Sequence, residues 1–216
     1  MKRLAVVVTV ASMVVGCGKK ADEASDAASA VAAAVGAAPK LEAAAQEAEQ
    51  FQKDRVAKGD TVAMPYVELQ KQLPASIDGY TAKEAPGGSQ QSMGGFSMSQ
   101  AEQTWVKAPN AEGTTPEIHI TVVDFGGTQQ GYAMMAAPML MGFSQEDTHR
   151  RVGSVKVDLP YTGGWEEFDK DTKNAKFTAI TRYRFAVTVE ARNSGEDQSA
   201  MVKQLAGEIA KKFEGK

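Results

Sequence analysis

The 216-residue sequence holds few side chains with chemistry of their own: one thiol (Cys17), two imidazoles (His119 and His149) and ten thioethers. A lone cysteine cannot close an internal disulfide, so its chemistry is that of a nucleophile, a metal ligand or an attachment point. Four methionines, Met134, Met135, Met139 and Met141, fall close together, with Met93 and Met98 upstream. Thioethers are soft ligands suited to Cu(I), and they are also adaptable apolar groups that fill cores and line grooves. Met135 and Met139 have the i,i+4 spacing a metal pair would use, but any core stripe has it too. Core packing is the first reading, an adaptable groove the second and copper the last. The candidate ligand or partner groove is Met134, Met135, Met139 and Phe143. No metal is expected.

Nucleophilic catalysis has little to build on. There is no Gly-x-Ser-x-Gly elbow, and a hydrolase would have to use His119, Asp124 and a serine. Strand parity points His119 and Asp124 to opposite faces. The stretch Asp124–Thr128 joins a strand to a helix but lacks the further glycine and the lysine of a phosphate loop. Asp169 and Asp171 match the first two ligands of a calcium loop, yet Lys173 stands where a third oxygen is needed and Asn174 where glycine is needed. A solvated hairpin end is the reading there. The expectation is a protein that is not an enzyme and carries no cofactor.

The thiol has a context. Met1-Lys2-Arg3 is a positive start, Leu4–Val15 an apolar run, and Gly16 and Gly18 flank the cysteine. That is the pattern of a secretory leader, and the run is too short for a membrane span of about 20 residues. Val14-Val15-Gly16-Cys17 resembles the lipobox of bacterial lipoproteins. The resemblance implies a signal peptide over 1–16, diacylation of the Cys17 sulfur, cleavage before it and acylation of the new N-terminus. Each buried CH₂ adds about 0.8 kcal/mol, so several chains make a durable anchor. Gly18 after the cysteine implies the outer membrane, with the protein facing the periplasm.

Composition agrees with such an address and excludes others. The formal net charge is −3, and it grows more negative once Lys2 and Arg3 leave with the leader. A nucleic-acid partner needs a basic face, and so does electrostatic binding to anionic lipid. Neither is expected; membrane attachment falls to the lipid on Cys17. Residues 17–59 read as the lipidated cysteine, an Ala-rich tether with too few large apolar groups to fold, and a helical spacer from about residue 40. Glu49 and Lys53 are spaced there for an i,i+4 pair.

The elements that must position everything else lie in 60–216. Pro65 opens a helix carrying Tyr66, Leu69 and Leu73, and Pro74 stops it. A short strand is expected at Tyr80–Ala85 and a flexible loop from Pro86 to Gly95. A strand from Phe96 to Lys107 follows, with a phase change near Gln100–Ala101 that reads as a bulge. Ile118, Ile120 and Val122 alternate with His119, Thr121 and Val123, the pattern of a half-buried strand. A helix over Thr128–Phe143, kinked at Pro138, carries the methionines. Four strands are expected at Arg151–Leu159, Gly164–Asp171, Lys176–Arg182 and Arg184–Arg192. A last helix runs from about Glu196 to Glu214, with Ser194 and Asp197 resembling a capping box.

That order predicts an α+β fold, a mostly antiparallel sheet covered by helices in one domain. It is similar to the Mog1/PsbP-type fold, an α/β/α sandwich, over about Met64–Phe213. A fold-level likeness implies no activity. The functional expectation is a cell-envelope lipoprotein whose domain is a non-enzymatic binding or interaction module. Its partner would be an envelope protein or a hydrophobic small molecule. The alternatives are an envelope hydrolase and a structural subunit of an envelope complex. An open strand edge at Gly164–Asp171 would favour the last.

Overall fold

The computed structural model describes residues 46, 49–93, 96–110, 113–126, 139, 142–156 and 163–214. Cys17, Met134 and Met135 lie outside the described residues, as do Pro138 and nearly all of the expected methionine helix.

Period-two sequence builds the centre. Strand β4 (Glu117–Asp124) buries Ile118, Ile120, Val122 and Asp124 on one face and turns His119, Thr121 and Val123 to the other. It is hydrogen-bonded to β3 (Phe96–Val106) on one side and β9 (Phe185–Arg192) on the other. Beyond β9 come β8 (Ala175–Thr181), β7 (Gly163–Asp169), β6 (Arg150–Lys156) and the three-residue β5 (Ser144–Glu146). Beyond β3 lie β1 (Thr81–Ala82) and β2 (Gly87–Met93), which share its outer side. Every pairing is antiparallel.

The first face of this sheet carries the main core. Trp105, Ile118, Ile120, Val122, Phe177, Val187 and Val189 are buried there. Helix α3 (Ser199–Lys211) closes it with Val202, Ala206, Ile209 and Ala210, and Phe213 just beyond stacks on Phe185 at 4.4 Å between ring centroids. One-turn helix α2 (Tyr66–Gln70) adds Leu69, with Leu73 behind it. A preceding helix, α1 (49–57), belongs to the stretch whose composition suggests a solvated spacer, yet it is tied to the domain. Its Phe51 lies 6.1 Å from the Tyr183 ring, and the Arg182 guanidinium sits over Phe51.

Several expectations need correction. The stretch 87–93 is a strand, not a loop: its glycines, serines and glutamines show no periodicity, and pairing with β3 alone defines it. A loop there is what composition suggests because small polar residues do not announce a strand. No bulge interrupts β3, whose register to β4 is unbroken from Ser99 to Val106. The apparent phase change arises because Ser97 and Ser99 occupy core-side positions. Their hydroxyls serve the chain before α2: Ser97 accepts from the Ala63 N–H (2.9 Å), and Ser99 donates to the Met64 carbonyl (2.5 Å). Strand β7 lies between β8 and β6, so the open edge at Gly164–Asp171 that would have favoured a structural subunit is not present. The capping box does not form; Asp197 accepts from the Ser199 N–H instead, and Ser194 bonds Glu196. Phe143 lies outside any helix, immediately before β5.

Candidate functional site

The second face of the sheet holds three rows that run across the strands, each read from the pairing register. The middle row is Glu102, Thr121, Thr188, Thr178, Trp165 and Ser154, one residue from each of six strands. Thr178 and Thr188 bond through their hydroxyls at 3.0 Å. At the end of the row Phe143 stacks on Trp165, with centroids 5.9 Å apart and planes 18° from parallel. The small Ser154 lies between them in register, and its N–H donates to the Phe143 carbonyl. Phe143 keeps 46 % of its surface exposed. Large exposed aromatics on a polar sheet are contact groups more often than ornament.

One flank of that row is apolar. Ile180 and Ala186 are buried there with Phe125, and Met98, Val123, Met139 and Tyr183 pack on them. Met139 also approaches Gly163, where a side chain would meet its Cβ and Sδ. The other flank is charged and satisfied: Thr104, His119, Glu190, Lys176 and Glu167 follow one another in register. Both imidazole nitrogens of His119 are engaged, with Thr104 at 3.0 Å and Thr121 at 3.2 Å. Glu167 accepts from the Trp165 indole (3.1 Å) and from Lys176 (3.3 Å), which fixes the indole. A cavity of about 330 Å³ closes this end, lined by Arg150, Glu167, Asp169, Asn174, Lys176 and Glu190.

A buried ion cluster lies at the same end of the sheet, on its first face. Arg184 forks onto Asp124 at 2.6 and 2.7 Å and reaches Asp60 at 2.8 Å. Asp124 is fully buried and Arg184 nearly so, so each charge depends on the other. Asp124 also accepts from the Met64 and Gly126 N–H groups, and α1 joins through Arg55, which donates to Asp60 and to the Gly126 carbonyl. Partial burial pushes the Asp60 carboxyl up, but Arg55 and Arg184 outweigh it and hold it below the ordinary aspartate value. Gly126 is required here: its φ is +55°, and a Cβ would strike the Ser97 carbonyl.

Of the residues singled out from sequence, the structure brings Met139 and Phe143 to this face. It sets His119 on the second face and Asp124 in the first-face core, so the candidate hydrolase pair is separated by the sheet. Asp169 spends its carboxylate on the N–H groups of Asp171 and Thr172, and Asp171 pairs with His149 at 2.7 Å, the hydrogen bonding of a hairpin end. Among the described residues no group of three acidic, His or Cys side chains could hold a metal. Sequence reading missed Trp165, whose signal was its alternation with Gly164 and Glu166 in a half-buried strand. It also missed the Asp60–Arg184 link, which spans 124 residues and leaves no local trace. No family model matches the chain, and no curated protein matches it.

Proposed function

We infer that this chain is a cell-envelope lipoprotein whose α+β domain is a non-enzymatic binding module, anchored through acyl chains on Cys17 and receiving an amphiphilic ligand on the second face of its sheet. The observation that carries the reading is the three-row surface, with apolar, hydroxyl and charged rows side by side and the Phe143–Trp165 pair at its end. An acyl chain would lie along Met139 and Phe143, which cover the buried Ile180, while a polar head meets Thr121, Thr188 and Lys176. Few polar groups placed beside an apolar wall are how small-molecule sites fix orientation. The lipobox-like Val14–Cys17 supports the anchor, and Gly18 after it supports an outer-membrane, periplasm-facing address. The finer fold assignment we favour is the Mog1/PsbP-type sandwich; the antiparallel sheet with α2 and α3 on one face and Met139 against the other supports it.

The test is quenching of tryptophan emission by dibromostearate, whose bromines quench on contact. Trp105 is buried and Trp165 half-buried, so only part of the emission is open to quenching. The expected result is saturable quenching that disappears in Trp165→Phe and weakens about tenfold or more in Phe143→Ala, the scale of an aromatic anchor. Quenching that never saturates, or equal affinity in Phe143→Ala, would contradict the reading.

A further inference from the structure

The two edges of the sheet are finished differently. At one edge β5 is three residues long and carries Glu146, with Asp147 next. Short, charged edges resist added strands. The other edge is built in two parts along β3. In the first, β1 pairs for two residues and the Lys83 N–H still reaches the Thr104 carbonyl at 2.9 Å. Glu84, Ala85 and Pro86 then leave the ladder before Gly87 resumes opposite Glu102. The Lys83–Glu117 ion pair, a proline and a break protect that part.

Strand β2 has none of these devices. Gly87–Met93 reads GGSQQSM, seven residues with no charge and no proline, in unbroken register with β3 from Gly87↔Glu102 to Met93↔Phe96. All of it but Gly87 is exposed, and among the described residues β3 is its one strand partner. Its outer N–H and C=O groups are a template for another strand. Exposed apolar groups gather beside it. Helix α2, which packs over β2, shows Tyr66 and Val67 to solvent, Tyr66 lies across Gly88, and Met93 is 82 % exposed.

We propose that β2 is the docking edge for a second copy of this chain, pairing antiparallel with the same strand of that copy about a two-fold axis, so that two sheets continue as one. The segment suits itself better than a foreign peptide. A foreign strand gains specificity from side-chain pockets, and the row of Gly, Ser and Gln offers none. Self-pairing needs only a neutral, self-complementary segment. With the axis at Gln90, the central residue, Gln90 faces its own copy and Ser89 faces Gln91. Met93 then lies opposite Gly87, beside which the Glu102 side chain already packs. No like charges meet across the seam. The inference is independent of the ligand site, which lies on the face of the sheet and not on its edge.

Oxidation of the purified full-length Gln90→Cys chain with copper phenanthroline in detergent tests the pairing. The expected product has twice the mass of the purified chain, is lost on adding dithiothreitol, and yields a peptide joined to itself through position 90. Gln145→Cys, on the protected edge, should give no such peptide. In sedimentation the wild-type chain should be a dimer, and Gln90→Lys, an exposed change that sets like charges face to face, should move it toward monomer with its far-UV circular dichroism kept. Position 90 joining no better than position 145, joining mainly to another protein, or a Gln90→Lys chain as dimeric as wild type would each overturn the proposal.

Discussion

Asp124 and Arg184 illustrate how one residue can matter far more than its neighbours. Each is buried against the other, and Asp124 additionally holds the Met64 and Gly126 backbone N–H groups. Removing either partner strands a charge in the core, so Asp124→Asn or Arg184→Met should each cost about 3–5 kcal/mol in urea unfolding. Replacing both together by apolar residues should cost clearly less than the two single changes added, because no charge is then left alone. Asp60, at the rim of the same cluster, titrates. Its folded-state value lies below the unfolded value of about 3.9, so the stability it contributes is present above about pH 4 and is lost as pH falls through the folded value. Asp60→Asn should therefore make the fall of melting temperature below about pH 4 shallower. It should not flatten it, since Asp147, Asp169 and Asp197 are also held low.

Elements were legible where a single period ran without interruption. Strand β4 and the inner stripe of α3 follow directly from Ile118-x-Ile120-x-Val122 and from Val202, Ile209 and Phe213. Legibility failed where polar residues serve the core or where pairing alone defines the strand. Ser97 and Ser99 face inward to hold backbone groups, which reads in sequence as a slipped phase; Gly87–Met93 has no period at all. The β8–β9 hairpin was expected from length, but its turn uses Arg182 and Tyr183, both at positive φ (55° and 50°), where Asn-Gly is usual. Two such residues are tolerated because outside contacts hold them. Arg182 donates to the Glu214 carbonyl at 2.6 Å, and both side chains meet Phe51 of α1. Phe51→Ala should consequently speed protease cleavage within 49–57 and lower stability by about 1 kcal/mol, leaving the sheet core resistant.

At the scale of the whole molecule, one antiparallel sheet has two unlike faces. Its first face is a packed apolar core under α2 and α3, and its second carries a small buried apolar cluster beside hydroxyl and charged rows. The α+β class was readable because helices and strands have different periods, and the polar side of β4 and β9 was readable by alternation. The rows were not, since they exist only once six strands far apart in sequence are set in register. We propose that acyl chains on one sulfur and a small-residue tether leash this domain to the membrane. Mass spectrometry of the N-terminal peptide from isolated membranes tests that most directly. The predicted result is a chain that begins at Cys17 and carries acyl mass on it, absent from Cys17→Ser. A chain that retains Met1, or one that begins at Cys17 with a free thiol and amine, would contradict the account.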